Sequence, residues 1–261
     1  MKFNLIKKEL RESQLAILVA LIFLILTAFV IQLTYPMMKE LAKQPLPESP
    51  FLPKNLSREI SALTNYRVYI WSQWFPKNLV QVLILVALIL GASALAGEKS
   101  RKTWEFLLSR PFSRREVYFY KVKIRLAAIF ALSLISSLIY LLILGSFKPS
   151  VFSLWPGFLL SSLTVFSLAA VVLSLATLFS AFSSRPLYAG GFAFLLIILF
   201  SIISPLIEKK LPDYLRLFSS LTSCRTFSTF DFPWRSFLVA LLLALFFQIG
   251  ALLFWEKQDL L

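Results

Sequence analysis

An all-α protein that crosses the membrane six times is what this sequence predicts, on three observations. Hydrophobic residues make up 58% of the 261-residue chain and the mean hydropathy is +0.78, too apolar for a water-soluble domain of that length. The charges are clumped, leaving uncharged stretches at Ser13–Met38, Asn78–Gly97, Leu126–Phe147, Pro149–Ser184, Pro186–Ile207 and Ser236–Trp255. Each matches or exceeds the ~20 residues that carry a helix across a ~30 Å hydrocarbon core. Aromatic residues with a polar tip (Tyr35, Trp71, Trp74, Tyr118, Tyr120, Trp155, Tyr188, Trp234, Trp255) fall at or just beyond the ends of these stretches, where amphipathic rings prefer to lie.

Taken along the chain, the N-terminal FNLIKKELR puts Phe3, Ile6 and Leu10 on one helical stripe with Lys7, Lys8 and Arg11 beside it. Residues 1–13 fit an amphipathic interfacial helix and fit equally a basic tail that only sets topology. The first span covers 14–35. Its apolar run from Leu15 to Leu33 outlasts a signal-peptide core and no A-x-A-like site follows, so it reads as a retained helix. Residues 39–77 open on Pro45, Pro47, Pro50 and Pro53. An amphipathic helix from Ser57 to Trp74 follows, with Ile60, Leu63, Tyr66 and Ile70 at near-helical spacing, read as a solvated lid.

The second span, 78–97, ends in GASALAG. Its pairs Ala87/Gly91, Ala92/Ala96 and Ser93/Gly97 allow close backbone approach, either to a neighbour in the same chain or to a second copy. The third span covers 124–145. The fourth, 157–182, starts near Pro156, a residue tolerated in a first turn. It carries Ser161, Ser162, Thr164, Ser167, Ser174, Thr177 and Ser180 on one broad face, which suits helix packing better than a substrate path. Only SSRP separates it from the fifth span, 187–206. A segment with Leu211, Tyr214, Phe218 and Leu221 on one stripe precedes the last span, 235–255.

Lys and Arg set the orientation. With six spans both termini share a side, and placing them in the cytoplasm puts 15 of the 27 basic residues there, nine of them in 98–125. The formal net charge of +14 is thus a matter of membrane topology; no soluble module is left to present a basic face to nucleic acid. Enzymatic readings find little support. The chain has no histidine and one cysteine, Cys224, so the usual general base and the commonest metal ligand are missing. The spans carry no Asp, Glu, Lys or Arg away from their ends, against the ion and proton relays of coupled carriers. No GxxxxGK[ST] loop is present, so energised work needs another polypeptide.

Residues 98–123, between the second and third spans, exceed what a connector needs. Arg110-Pro111 is a breaker. Beyond it, Ser113-Arg-Arg-Glu116 is a capping box, with Phe112 and Val117 as a hydrophobic staple, so a helix starts at Arg114. Before it, Thr103 N-caps a short helix from Trp104 to Ser109, with Glu105 in the first turn where the helix dipole favours a carboxylate. Trp104, Leu107 and Leu108 share its apolar face. Burying them against a partner is worth ~1.5–3 kcal/mol per side chain; packing that stripe on the membrane surface is the alternative.

The stretch GEKSRKTWEFLLSRPFSRREVYFYK resembles the signature of ABC-2 type transporter permeases. In that signature a glutamate closes the second span, a T-x-E-x-L-L-S-x-P segment follows, and an S/T-R-x-E element with a lysine leads into the third. Glu98, Thr103, Glu105, Leu107, Leu108, Ser109, Pro111, Arg114, Glu116 and Lys121 match; Tyr120 stands where glycine is usual. The six spans, long first outer loop and EKQDL end are compatible with the same family. The resemblance implies a non-catalytic membrane subunit paired with a second permease chain, identical or different, and with a separate ATPase. It further implies that this chain holds no cofactor or metal of its own, ATP and Mg being held by the ATPase. It also implies that 98–123 is a cytoplasmic coupling segment. Trp104–Ser109 would be the helix seated in the ATPase, Glu98, Thr103, Trp104, Glu105, Leu107 and Leu108 its coupling residues, and Arg110, Arg114 and Arg115 its salt-bridging partners. The other reading is a membrane anchor whose basic loop binds anionic lipid or a non-ATPase protein.

Overall fold

The structure, a computed structural model, describes residues 2–41, 64–101, 113–208, 212 and 215–257. All regular structure among them is helical: α1 (Lys2–Leu41), α2 (Tyr66–Ser72), a π-helical turn (Gln73–Leu79), α3 (Val80–Ser93), α4 (Ala96–Ser100), α5 (Arg114–Phe147), a 3₁₀ turn (Pro149–Leu154), α6 (Trp155–Phe182), α7 (Pro186–Glu208), α8 (Leu217–Leu221), α9 (Cys224–Ser228) and α10 (Trp234–Lys257). Six of these segments are long and apolar enough to cross a membrane: α1, the run Tyr66–Ser93, α5, the run Pro149–Phe182, α7 and α10. The protein is an all-α, multi-pass membrane protein.

The hub is α6. It packs against α3 and α10 along most of its length and against α5 and α7 on its remaining sides, while α1 lies on α5. In its most apolar window 67% of residues are buried, against 11% in α7, so α6 is shielded on nearly all sides and α7 leaves most of its surface uncovered. The hydroxyl residues predicted on the fourth span are all buried. Most bond back to their own helix, as Ser162 does to the Phe158 carbonyl at 2.6 Å and Thr177 to the Leu173 carbonyl at 2.7 Å. That is packing chemistry: small side chains, all but Ser161 with their hydroxyls bonded, let neighbouring helices close in. The small-residue end of the second span is used in the same way, inside one chain. A Cβ at Gly91 would lie 2.6 Å from both the Ala176 Cβ and the Leu173 carbonyl oxygen of α6.

The structure departs from the sequence reading in two places. Helix α1 continues unbroken from Lys2 to Leu41, so residues 1–13 do not form a separate interfacial helix; Glu9 and Ser13 are buried in the bundle. The stretch preceding the second span is no solvated lid over its described part. Tyr69, Ile70, Trp74 and Phe75 are at most 2% exposed, because α2 and the π turn tuck under α1, α5 and α6. Tyr69 Oη donates to the Ile31 carbonyl at 3.1 Å, and Trp74 stacks on Tyr140 at 4.1 Å between ring centroids. Phe75, Phe158 and Phe227 interlock beside them. Aromatic rings this large gain more from a shared core than from the interface that their position along the chain suggested.

Candidate functional site

The basic end of the bundle, where residues 98–101 and 113–125 sit, is built around a break in the second span. Helix α3 stops at Ser93 and α4 restarts at Ala96, which exposes orphan carbonyls and amides that a membrane protein must satisfy internally. Ser180 of α6 does most of this. Its Oγ donates to the Ala92 carbonyl at 2.7 Å and accepts from the amides of Leu95 and Ala96 at 3.0 and 2.8 Å. Arg125 of α5 takes the rest, donating to the Leu90 carbonyl and, at 3.2 Å, to Ser93 Oγ.

The break turns Glu98 inward, where it is 3% exposed. Lys121 Nζ bridges Glu98, at 2.9 Å, and Glu9 of α1. Arg125 grips the other Glu9 oxygen through Nη2 at 3.1 Å. Lys8 reaches Glu98 at 2.7 Å from the rim, and Arg101 pairs with Glu12 at 3.1 Å. Two buried carboxylates are thus matched by two buried cations, with a mixed outer ring, which is how charges survive burial. The carboxylates of Glu9, Glu12 and Glu98 converge within 4.8 Å, and the lysines and arginines between them supply the counter-charge.

A second set of contacts ties the same region to α10. Arg115 forms a bidentate pair with Glu256, and Arg114 donates to the Glu256 carbonyl at 3.3 Å. Tyr118 Oη donates to the Gln248 carbonyl at 2.8 Å. Lys99 donates to the Ala181 carbonyl at 2.6 Å and lies 5.7 Å from the Trp255 ring. Both contacts favour the ammonium, but burial outweighs them and pushes its pKa down to about 8 from the ordinary 10.5. The unfolded chain therefore holds this proton more tightly. Stability conferred by Lys99 is full above pH 10.5 and is lost as the pH falls through about 8. The thermal midpoint of Lys99→Met should rise less between pH 8 and 10 than that of the wild type; parallel curves would refute this account.

Of the residues singled out from the sequence, Glu98 sits in the buried charge network with Lys121 and Lys8, while Arg114 and Arg115 bind Glu256 of α10. Thr103, Trp104, Glu105, Leu107, Leu108 and Arg110 lie outside the described residues. The capping box is formed: Ser113 Oγ accepts from the Glu116 amide at 3.2 Å and Glu116 Oε2 accepts from the Ser113 amide at 3.0 Å. Sequence reasoning did not single out Glu9 or Arg125 as site residues. The available signal was their placement: opposite charges at the ends of two spans, which topology brings to one side.

The family model of ABC-2 family transporter proteins matches residues 3–259. The chain belongs to the ABC-2 transporter family. No individual curated protein matches it. As an ABC-2 permease it is a membrane component of an ABC transporter, a role that asks of its own residues binding and movement. The buried charges at its basic end join α1, α4 and α5 through Glu9, Glu98, Lys121 and Arg125.

Proposed function

We propose that this permease is the transmembrane subunit of an ATP-driven, export-type transporter, with its basic end in the cytoplasm. A separate ATPase docks on residues 98–121 and drives the bundle through them, and a second permease chain completes the translocation path. The observation that carries this reading is the double anchoring of the segment that the ATPase would grip. On its N-terminal side Glu98 and Lys99 are locked to α1, α5, α6 and α10. On its C-terminal side Ser113–Arg115 begin α5 and are pinned to α10 through Glu256. The Glu98–Lys121 pair is buried, and removing one partner from such a pair costs ~3–5 kcal/mol, so a push on the N-terminal side of this segment is passed to α5 through a tie that is costly to break. Trp104, Leu107 and Leu108 supply the apolar face for the ATPase groove, and Arg110, Arg114 and Arg115 the charges around it.

Leu107→Asp should abolish co-purification of the ATPase from detergent while leaving the elution profile of the permease unchanged, because a carboxylate in an apolar groove is buried without a partner. Retention of the ATPase at wild-type stoichiometry would sink the docking claim.

A further inference from the structure

A cleft of about 300 Å³ opens sideways between α5 and α10, with α6 as its floor. Phe119, Val122 and Leu126 form one wall, Leu245 and Leu252 the other, and Phe166 lies at the back. The polar groups along it are already engaged. Tyr118 bonds to Gln248, Gln248 Nε2 donates to Ser174 Oγ at 3.1 Å, and Ser174 donates to the Ala170 carbonyl at 2.7 Å. What the cleft offers an occupant is therefore hydrocarbon.

Its dimensions and rim say which hydrocarbon. On α10 the lining runs from Leu241 to Leu252, eleven positions and so about 16 Å along the axis. That is the depth of one leaflet, half of a ~30 Å hydrocarbon core. At 100° per residue, Arg115, Phe119, Val122, Lys123 and Leu126 share one face of α5. Lys123 is exposed on that face, one turn past Phe119, and a long helical side chain leans back toward the helix N-terminus, here the basic end. Arg115 is matched by Glu256, whereas Lys123 has no ion pair among the described residues. A long cationic side chain there can lay its stem on Phe119 and Val122 and hold its ammonium at headgroup depth.

We infer that this cleft is a binding site for an anionic phospholipid of the leaflet at the basic end, one acyl chain lying between α5 and α10 and the phosphate meeting Lys123. Tyr118 and Phe119, at the end of the 98–121 segment, line the cleft, whereas the docking test substitutes Leu107, so lipid binding and ATPase capture are read by separate variants.

The test is lipid titration of the detergent-purified permease, read as adducts by native mass spectrometry, with phosphatidylglycerol and phosphatidylcholine of the same chain length. Phosphatidylglycerol should bind about fivefold more tightly, the worth of one lysine near an anionic surface. Lys123→Gln should erase that preference while leaving both lipids bound. Leu245→Trp, at a wall position that is 56% exposed, should reduce both. Equal affinity of the wild type for the two lipids would overturn the headgroup assignment. Undiminished adducts in Leu245→Trp would overturn the cleft. Efficient disulfide formation between copies carrying Phe119→Cys in native membranes would assign the face to a second permease chain and overturn the proposal outright.

Discussion

Replacing Glu9 by leucine is expected to destabilise the permease by about 3–5 kcal/mol. Glu9 is wholly buried and is shared by Lys121 and Arg125. Without it Lys121 keeps Glu98, but Arg125, 3% exposed, keeps only the Leu90 carbonyl and Ser93. A guanidinium cannot shed its proton at any accessible pH, so it must stay buried unneutralised or tear out of the bundle. The apparent melting midpoint should fall by roughly 10 °C, since 1 kcal/mol corresponds to ~2–4 °C for a chain of this size. The double variant Glu9→Leu with Arg125→Met should recover more than half of the loss, because removing both partners leaves no orphan charge. A single variant within ~1 kcal/mol of the wild type would mean that water reaches this network and that it holds nothing together.

The second large effect belongs to Gly91. Leucine there must drive α3 away from α6, since the first atom of any side chain already overlaps the Ala176 Cβ and the Leu173 carbonyl at 2.6 Å. Neither is the tip of a flexible side chain that could swing aside. Overpacking costs ~1–3 kcal/mol where a core can adjust. Here the shift would also pull Ser180 from the Ala92 carbonyl and from the Leu95 and Ala96 amides, so the loss should lie at or above the top of that range. Gly191→Leu is the matched control, because a Cβ at Gly191 meets nothing within 4 Å. Fluorescence-detected size exclusion after heating should separate the two, with Gly191→Leu close to the wild type. Equal tolerance of both would show that α3 and α6 are not locked at this crossing.

The part of the site legible beforehand was its local part. Ser113 and Glu116 advertise a helix start because a capping box is closed within four residues, and it forms as the spacing demands. Glu98 was legible through resemblance to a signature. Glu9 and Arg125 were not singled out: opposite charges at the ends of two spans hint at a pair, but the pattern does not say which of them face water and which face another helix. The same blindness explains Trp74. A tryptophan near a span boundary fits the interface, and only its contact with Tyr140 and Ser137 shows that it lies in the core.

Hydrophobic transfer and backbone hydrogen bonding act residue by residue, so the sequence alone determined that this chain is helical, that it crosses the membrane six times, and where its positive charge collects. Pairing is a property of two residues far apart in the chain. Which helix became the hub, which glycine met which carbonyl, and which carboxylate answered Lys121 and Arg125 were decided only when the six helices packed. In a bilayer every helix looks equally apolar from outside, and small residues, orphan carbonyls and a few buried charges choose the neighbours.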